Sequence, residues 1–308
     1  MRTAYITHAD CLKHEMGDWH PECPRRITAI EDRLLSRGLL DLCERFDAPE
    51  ATIEQLARVH DRDYLASLEA MAPSGDDYAE VDPDTYMNAA TLPAARRAAG
   101  AAALASRLVL REGFSRAFCN VRPPGHHAGR RQAMGFCFYN NAAVAIAEAR
   151  ALGVSRVALV DFDVHHGNGS EDILSHDDSV LMVSTFQAGL FAAPLAESAA
   201  ENMHNHALPK YSRGDALREV VQSNWLPRIE AFRPELLVLS AGFDAHRDDE
   251  LGQLGWLDKD YGWLTAELSA AADRLCGGRI VSVLEGGYHL DALAGSVEQH
   301  VRALLAVD

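Results

Sequence analysis

The 308-residue sequence predicts an α/β protein: a mostly parallel β-sheet with helices on both faces, built as one domain over residues 1–308. Three observations predict it. Short β-branched runs alternate with longer segments of helical periodicity. The short runs are apolar almost throughout, as strands covered on both faces must be. Polar, chemistry-bearing clusters follow those runs directly, at the carboxyl ends where parallel sheets bind their ligands.

Taken in order, the predicted strands are 4–7, 117–121, 156–160, 180–184, 236–240 and 280–284. Helices are predicted between them. In 24–37, Pro24 stands near the start, Ile27, Ile30, Leu34 and Leu35 mark an apolar stripe, and Gly38 follows the end. The long, alanine-rich 89–110 is a second helix, and 141–151, 214–232, 260–275 and 290–305 complete the set. Segments 72–86 and 186–211 read as long irregular stretches, which in compact domains are often functional.

Bulk properties narrow the function. The formal net charge of -16 repels phosphate, which argues against direct binding to DNA or RNA and favours cationic substrates such as lysine-rich peptides or polyamines. None of the six cysteines forms a C-x-x-C pair, so no zinc ribbon or thioredoxin motif is expected and the thiols read as reduced. The first residues lack the apolar core of a signal peptide, and no apolar run is long enough for a bilayer. A cytoplasmic enzyme with no membrane partner is the expectation.

The strongest motif is Asp161-Phe-Asp-Val-His-His166. Residues two apart on an extended segment point the same way, so Asp163 and His165 can reach one ion while Phe162 and Val164 turn into apolar packing. A carboxylate with an imidazole suits zinc, and also iron, cobalt or manganese. Asp244 is the best third ligand, because it ends a buried strand where a carboxylate has no other evident purpose. Three protein ligands leave one position open, the catalytic pattern.

His126 and His127 follow Pro123-Pro124-Gly125 on a neighbouring strand-end loop. One of them can take a proton from an activated water and return one to a leaving amine. Asp161 is free to orient one imidazole and Asn168 the other; a neutral amide fixes a tautomer without raising the ring's basicity as a carboxylate does. Tyr288, after Glu285-Gly-Gly287, offers a phenol donor to a developing oxyanion.

Together, R-P-P-G-H-H-A, M-G-F-C-F-Y-N-N, D-F-D-V-H-H-G-N-G, A-G-F-D-A-H and E-G-G-Y resemble the zinc-dependent histone deacetylases of the arginase–deacetylase superfamily, from His20 through Tyr288. Asn168 is similar to the class II branch and its bacterial relatives. The resemblance implies one zinc ion on Asp163, His165 and Asp244. It makes His127 the general base and acid, His126 its electrostatic partner beside Asp161, and Tyr288 the residue that polarises the acyl carbonyl. It also implies an acyl-lysine tunnel walled by Gly135, Phe136 and Phe191, and a structural potassium ion held by backbone at Asp161, Asp163, His165 and Ser184. Departures are Phe186 where histidine is usual, Ala192-Ala-Pro194 in place of a proline–glycine turn, and His289 where asparagine is common.

The implied substrate is an acetylated lysine peptide or an acetylated polyamine. Polyamine-selective relatives carry a gate glutamate where this chain has Leu251, with Glu250 beside it, so a broader acyl-lysine deacetylase is expected and a polyamine deacetylase is the alternative. A non-catalytic acyl-lysine binding module is opposed by Tyr288 and the histidine pair. A di-manganese ureohydrolase needs more aspartates around the metal than the sequence supplies.

Overall fold

In the computed structural model, which describes residues 2–192, 198 and 200–307, an eight-stranded sheet runs through the molecule. Its strands are β1 (Thr3–Thr7), β2 (Glu44–Asp47), β5 (Arg116–Cys119), β6 (Val157–Asp161), β7 (Val180–Gln187), β8 (Met203–Leu208), β9 (Leu236–Ala241) and β10 (Ile280–Leu284). Their order is β2-β1-β5-β10-β9-β6-β7-β8, and every neighbouring pair is parallel. A separate antiparallel pair, β3 (Ala79–Asp82) and β4 (Thr85–Met87), lies outside it.

The apolar runs alternate between two cores, as the strand period of two dictates. In β6, Val157 and Leu159 enter the core beneath α4 (Thr91–Arg111) and α5 (Asn141–Ala151), while Ala158 and Val160 face the opposite core. In β9, Leu236 and Val238 divide from Leu237 and Leu239 in the same way. The second core is closed by α1 (Arg25–Ser36), α9 (Asp258–Cys276) and α10 (Leu290–Leu305). Two short segments, α2 (Ile53–Leu56) and α3 (Arg62–Met71), complete the first layer.

Two expectations need correction. Segments 72–86 and 186–211 are not irregular throughout: the first contains the β3–β4 hairpin, and the second contains the end of β7 and all of β8. The sheet therefore exceeds the six predicted strands. Both additions to it are edge strands, and edges are polar because one side is unpaired and water-facing. Glu44-Arg-Phe-Asp47 and Met203-His-Asn-His-Ala-Leu208 accordingly carry no buried apolar run. The predicted helix 214–232 is present as α7 (Gly214–Val220), a π-helical turn at Val221–Trp225 and α8 (Leu226–Phe232).

Strand register positions the site. Asp161 at the end of β6 is level with Ser184 of β7 and Ser240 of β9, and Ala241 is level with Leu284 of β10. The segments after β6, β9 and β10 therefore leave the sheet at one height, bringing residues 161–166, 242–244 and 285–288 to a single rim. The chain after β5 joins them with His126 and His127.

Candidate active site

Asp163, His165 and Asp244 meet at this rim with one ligand atom from each within 4.8 Å of the others. His165 Nδ1 lies 3.0 Å from Asp163 Oδ1 and 3.2 Å from Asp244 Oδ2. The outer carboxylate atoms are tied down: the Gly286 N–H donates to Asp163 Oδ2 at 2.8 Å, and the Val164 N–H donates to Asp244 Oδ1 at 2.9 Å. Phe162 and Val164 turn into the second core.

A metal ion fits this set. Asp244 Oδ2 is buried without a hydrogen bond, because the His165 ring nitrogen nearest it is engaged with Asp163. Burial and the facing Asp163 carboxylate hold the Asp244 carboxyl above the usual carboxylate range, the tension between like charges that a divalent cation relieves. Space is reserved as well. A Cβ on Gly286 would stand 2.0 Å from Asp244 Oδ2, and one on Gly242 would stand 2.2 Å from Asp163 Oδ2.

The two histidines lie against the cluster with ring centroids 4.0 Å apart. His126 Nδ1 is 3.0 Å from Asp161 Oδ2, and its Nε2 is 3.7 Å from Asp163 Oδ2. Burial opposes charge on His126, but Asp163 and Asp161 outweigh it and hold the imidazole well above its ordinary value. His127 Nδ1 is 2.6 Å from Asn168 Oδ1. Burial, followed by repulsion from His126 and His165, drives His127 well below its ordinary value. One ring thus favours the cation while its neighbour is held neutral with a lone pair to offer.

Tyr288 stands half-buried across the site, its ring 5.8 Å from Phe136. Burial raises its phenol well above the usual range; the Arg26 cation opposes this, and the Asp244 and Asp163 carboxylates add to it. The group stays a proton donor. Phe191 lies 5.3 Å from His127 and 6.3 Å from His165, and a Cβ on Gly135 would meet both His127 Cδ2 (2.5 Å) and Phe191 Cε1 (3.0 Å). Gly135, Phe136 and Phe191 thus border the histidine and tyrosine groups. Leu251 is half-buried, and its N–H donates to Asp249 Oδ1 at 3.0 Å. Phe186 is buried in β7 against His166 rather than at a mouth, and His289 caps α10. Ala193 and Pro194 of the altered turn lie outside the described residues.

Several supporting residues escaped the sequence reading. Asp249 Oδ2 accepts the N–H groups of Tyr288 (2.6 Å) and His289 (3.0 Å). Arg26 donates to Gly287 O at 2.6 Å and to Glu285 O, with its guanidinium carbon 4.8 Å from the Tyr288 ring centroid. Arg26 in turn pairs with Glu22 at 3.0 Å, which Arg122 grips through both carboxylate oxygens at 2.5 and 2.6 Å. Glu285 accepts from the N–H groups of Gly125 and His126, locking the histidine loop to the tyrosine loop. The signal for Arg26 was its place one turn before Ile30 on the buried face of α1. Nothing distinguished Asp249 within the acidic run Asp248-Asp-Glu250.

A parallel sheet whose strand ends converge on a buried carboxylate–imidazole cluster able to hold a metal ion, on paired histidines and on a tyrosine is the arrangement of a hydrolase. The histone deacetylase domain family matches residues 20–304, and the chain belongs to that family. It is 37% identical over 314 residues to a histone deacetylase-like amidohydrolase of Pseudomonas aeruginosa, covering 93% of this chain and 82% of that protein. It is 36% identical over 334 residues to the human polyamine deacetylase HDAC10, covering 99% of this chain and 48% of that one. Among solved structures, the HDA15 HD domain superposes with a TM-score of 0.92 at 34% identity, covering 99% of this chain and 88% of that one. The chain spans as little as 21% of the length of the curated relatives it matches. Among the described residues, no helix is long and apolar enough to cross a membrane.

Proposed function

We propose that the chain is a zinc-dependent amidohydrolase that removes acetyl or similar acyl groups from the ε-amine of lysine in proteins or peptides, with residues 1–308 working as one cytoplasmic deacetylase unit. The observation that carries the reading is the His127 imidazole, held through Nδ1 by Asn168 and set beside a three-ligand cluster that retains an unsatisfied buried carboxylate oxygen. Asp163, His165 and Asp244 would hold the zinc, which would supply Lewis acidity to a water molecule and to the acyl carbonyl. Backbone at Asp161, Asp163, His165 and Ser184 would hold a structural potassium ion; Asp161 and Ser184 are register neighbours.

The protein's own groups do the rest. Asn168 accepts the His127 Nδ1 proton and leaves Nε2 bare, so that nitrogen takes a proton from the attacking water. As the new C–O bond forms, charge moves onto the former carbonyl oxygen, where the Tyr288 O–H donates. His127 then passes its proton to the amide nitrogen, the C–N bond breaks to give a carboxylic acid and an amine, and the acid's proton goes to the amine, so that a carboxylate and an ammonium leave. His126, held by Asp161 through Nδ1, lies beside this path as the electrostatic partner of His127. Phe136 and Phe191 exclude water around the acyl-lysine stem.

Acetylated polyamines are the second reading, favoured by the resemblance to a polyamine deacetylase. A panel of acetyl-lysine peptides, acetylputrescine and acetylspermidine with zinc-loaded protein decides between them. Peptides are the preferred substrates, and Leu251→Glu shifts the ratio toward polyamines, because a carboxylate rewards a distal ammonium. Preferential cleavage of polyamines by the unaltered protein overturns the lysine reading. Binding of acetyl-lysine without cleavage, in the presence of zinc, makes the chain a binding module.

A further inference from the structure

We infer that Met134 is a positioning residue for His127, acting through Asn168; the inference rests on the proposed role of His127 as proton carrier. The Asn168 side chain has two different ends. Its Oδ1 lies 2.6 Å from His127 Nδ1, and its Nδ2–H donates to the Met134 sulfur at 3.3 Å. A thioether carries no proton and can only accept, so it is complementary to the NH2 end of the amide and not to the oxygen. With NH2 toward sulfur, oxygen faces His127, and His127 must carry its proton on Nδ1. That leaves Nε2 free to accept a proton, the state the reaction requires.

The alternative orientation is sterically equivalent, because an amide turned by half a revolution fills the same space. Turned, it would present NH2 to His127 Nδ1 and select the opposite imidazole tautomer, whose Nε2 already holds a proton. An aspartate at 168 would have no such ambiguity, since both its oxygens accept. An asparagine needs a second contact to tell its ends apart. Met134 supplies it from the Met134-Gly-Phe-Cys137 segment, which also carries Gly135 against the His127 ring. The contact is not sealed in the core: a cavity of about 480 Å³ is lined by His127, Met134, Asn168 and the exposed Arg130 and Arg131. Bulk water therefore comes close to the pair and competes for the amide, which makes a built-in acceptor useful.

Two variants test the assignment. Met134→Leu keeps the approximate volume and removes the acceptor. Asn168→Asp removes the ambiguity. The first readout is the His127 tautomer, from imidazole 15N shifts and couplings in metal-free protein, assigned by their loss in His127→Phe. The Nδ1–H form is expected in the unaltered protein, with substantial Nε2–H form in Met134→Leu. The second readout is turnover. In Met134→Leu, kcat falls about three- to tenfold with KM unchanged, and the loss disappears in the Asn168→Asp background. An unchanged His127 tautomer in Met134→Leu overturns the inference, as does an equal loss of kcat with asparagine and with aspartate at 168, the mark of packing alone. If the unaltered protein cleaves no amide, the proposed function fails, while the tautomer comparison still decides the role of Met134.

Discussion

Gly286→Ala tests the metal cluster without altering any ligand. Gly286 has no left-handed backbone angle, so alanine is conformationally allowed there. The added methyl is the whole perturbation. It would stand 2.0 Å from Asp244 Oδ2 and 2.6 Å from Asp163 Oδ2. The first contact lies more than about 1 Å inside van der Waals distance. Either the Asp244 carboxylate swings away or the Gly286 backbone retreats and withdraws its 2.8 Å hydrogen bond from Asp163. Both displace a ligand by about 1 Å, a misplacement that costs about a hundredfold in rate, or roughly 2.7 kcal/mol of barrier. The variant should therefore lose at least that factor in kcat/KM and bind zinc more weakly, with its circular dichroism unchanged. Gly262→Ala serves as the control: it lies in helix α9, and its new methyl would come no closer than 3.1 Å to any neighbour. Zinc titration calorimetry and a peptide deacetylation assay read both effects. Wild-type zinc affinity and turnover in Gly286→Ala would refute the cluster as the metal site.

Two further predictions follow from the same geometry and from burial. Tyr288→Phe should keep zinc and near-normal substrate affinity yet lose roughly a hundred- to a thousandfold in kcat, since a donor to the developing oxyanion acts mainly in the transition state; unchanged turnover would show that another donor fills the role. Stability should fall below about pH 6 through two buried neutral histidines, His60 and His300, which burial lowers from 6.5 to about 4 and about 3. Their folded values lie below the unfolded one, so the unfolded chain takes up the extra protons as the pH drops. Stability is intact above 6.5 and decreases toward 4 and 3, reaching about 2 kcal/mol per histidine at about pH 5. Urea unfolding in metal-free protein at about pH 7 and 5 measures it, and a midpoint that does not move across that interval contradicts it.

Much of this arrangement could be read from the sequence, for a physical reason. Central strands of a parallel sheet must be apolar on both faces, so Leu236–Ala241 and Ile280–Leu284 declared themselves. Polar residues directly after such runs stand out against them, which is why Asp163, His165, Asp244 and Tyr288 could be singled out. Edge strands lack this contrast. Glu44–Asp47 is mostly exposed, and Met203–Leu208 is polar along its middle. The supporting groups were hidden for another reason: their partners are backbone atoms far away in sequence. Nothing near Asp249 shows that it accepts two N–H groups from residues 288 and 289, and nothing near Arg26 shows that it reaches the carbonyls of Glu285 and Gly287. Met134 was hidden by distance as well: its partner is the side chain of Asn168, 34 residues further along the chain.

The most direct test of the account is a zinc titration of metal-free protein, followed by turnover of an acetyl-lysine peptide. Activity should be absent without metal, rise in proportion to zinc and level off at about one equivalent per chain. Asp244→Ala should neither retain zinc nor gain activity across the same range. Full turnover without metal, or an Asp244→Ala protein that is activated like the unaltered chain, would contradict the claim that Asp163, His165 and Asp244 form the catalytic centre.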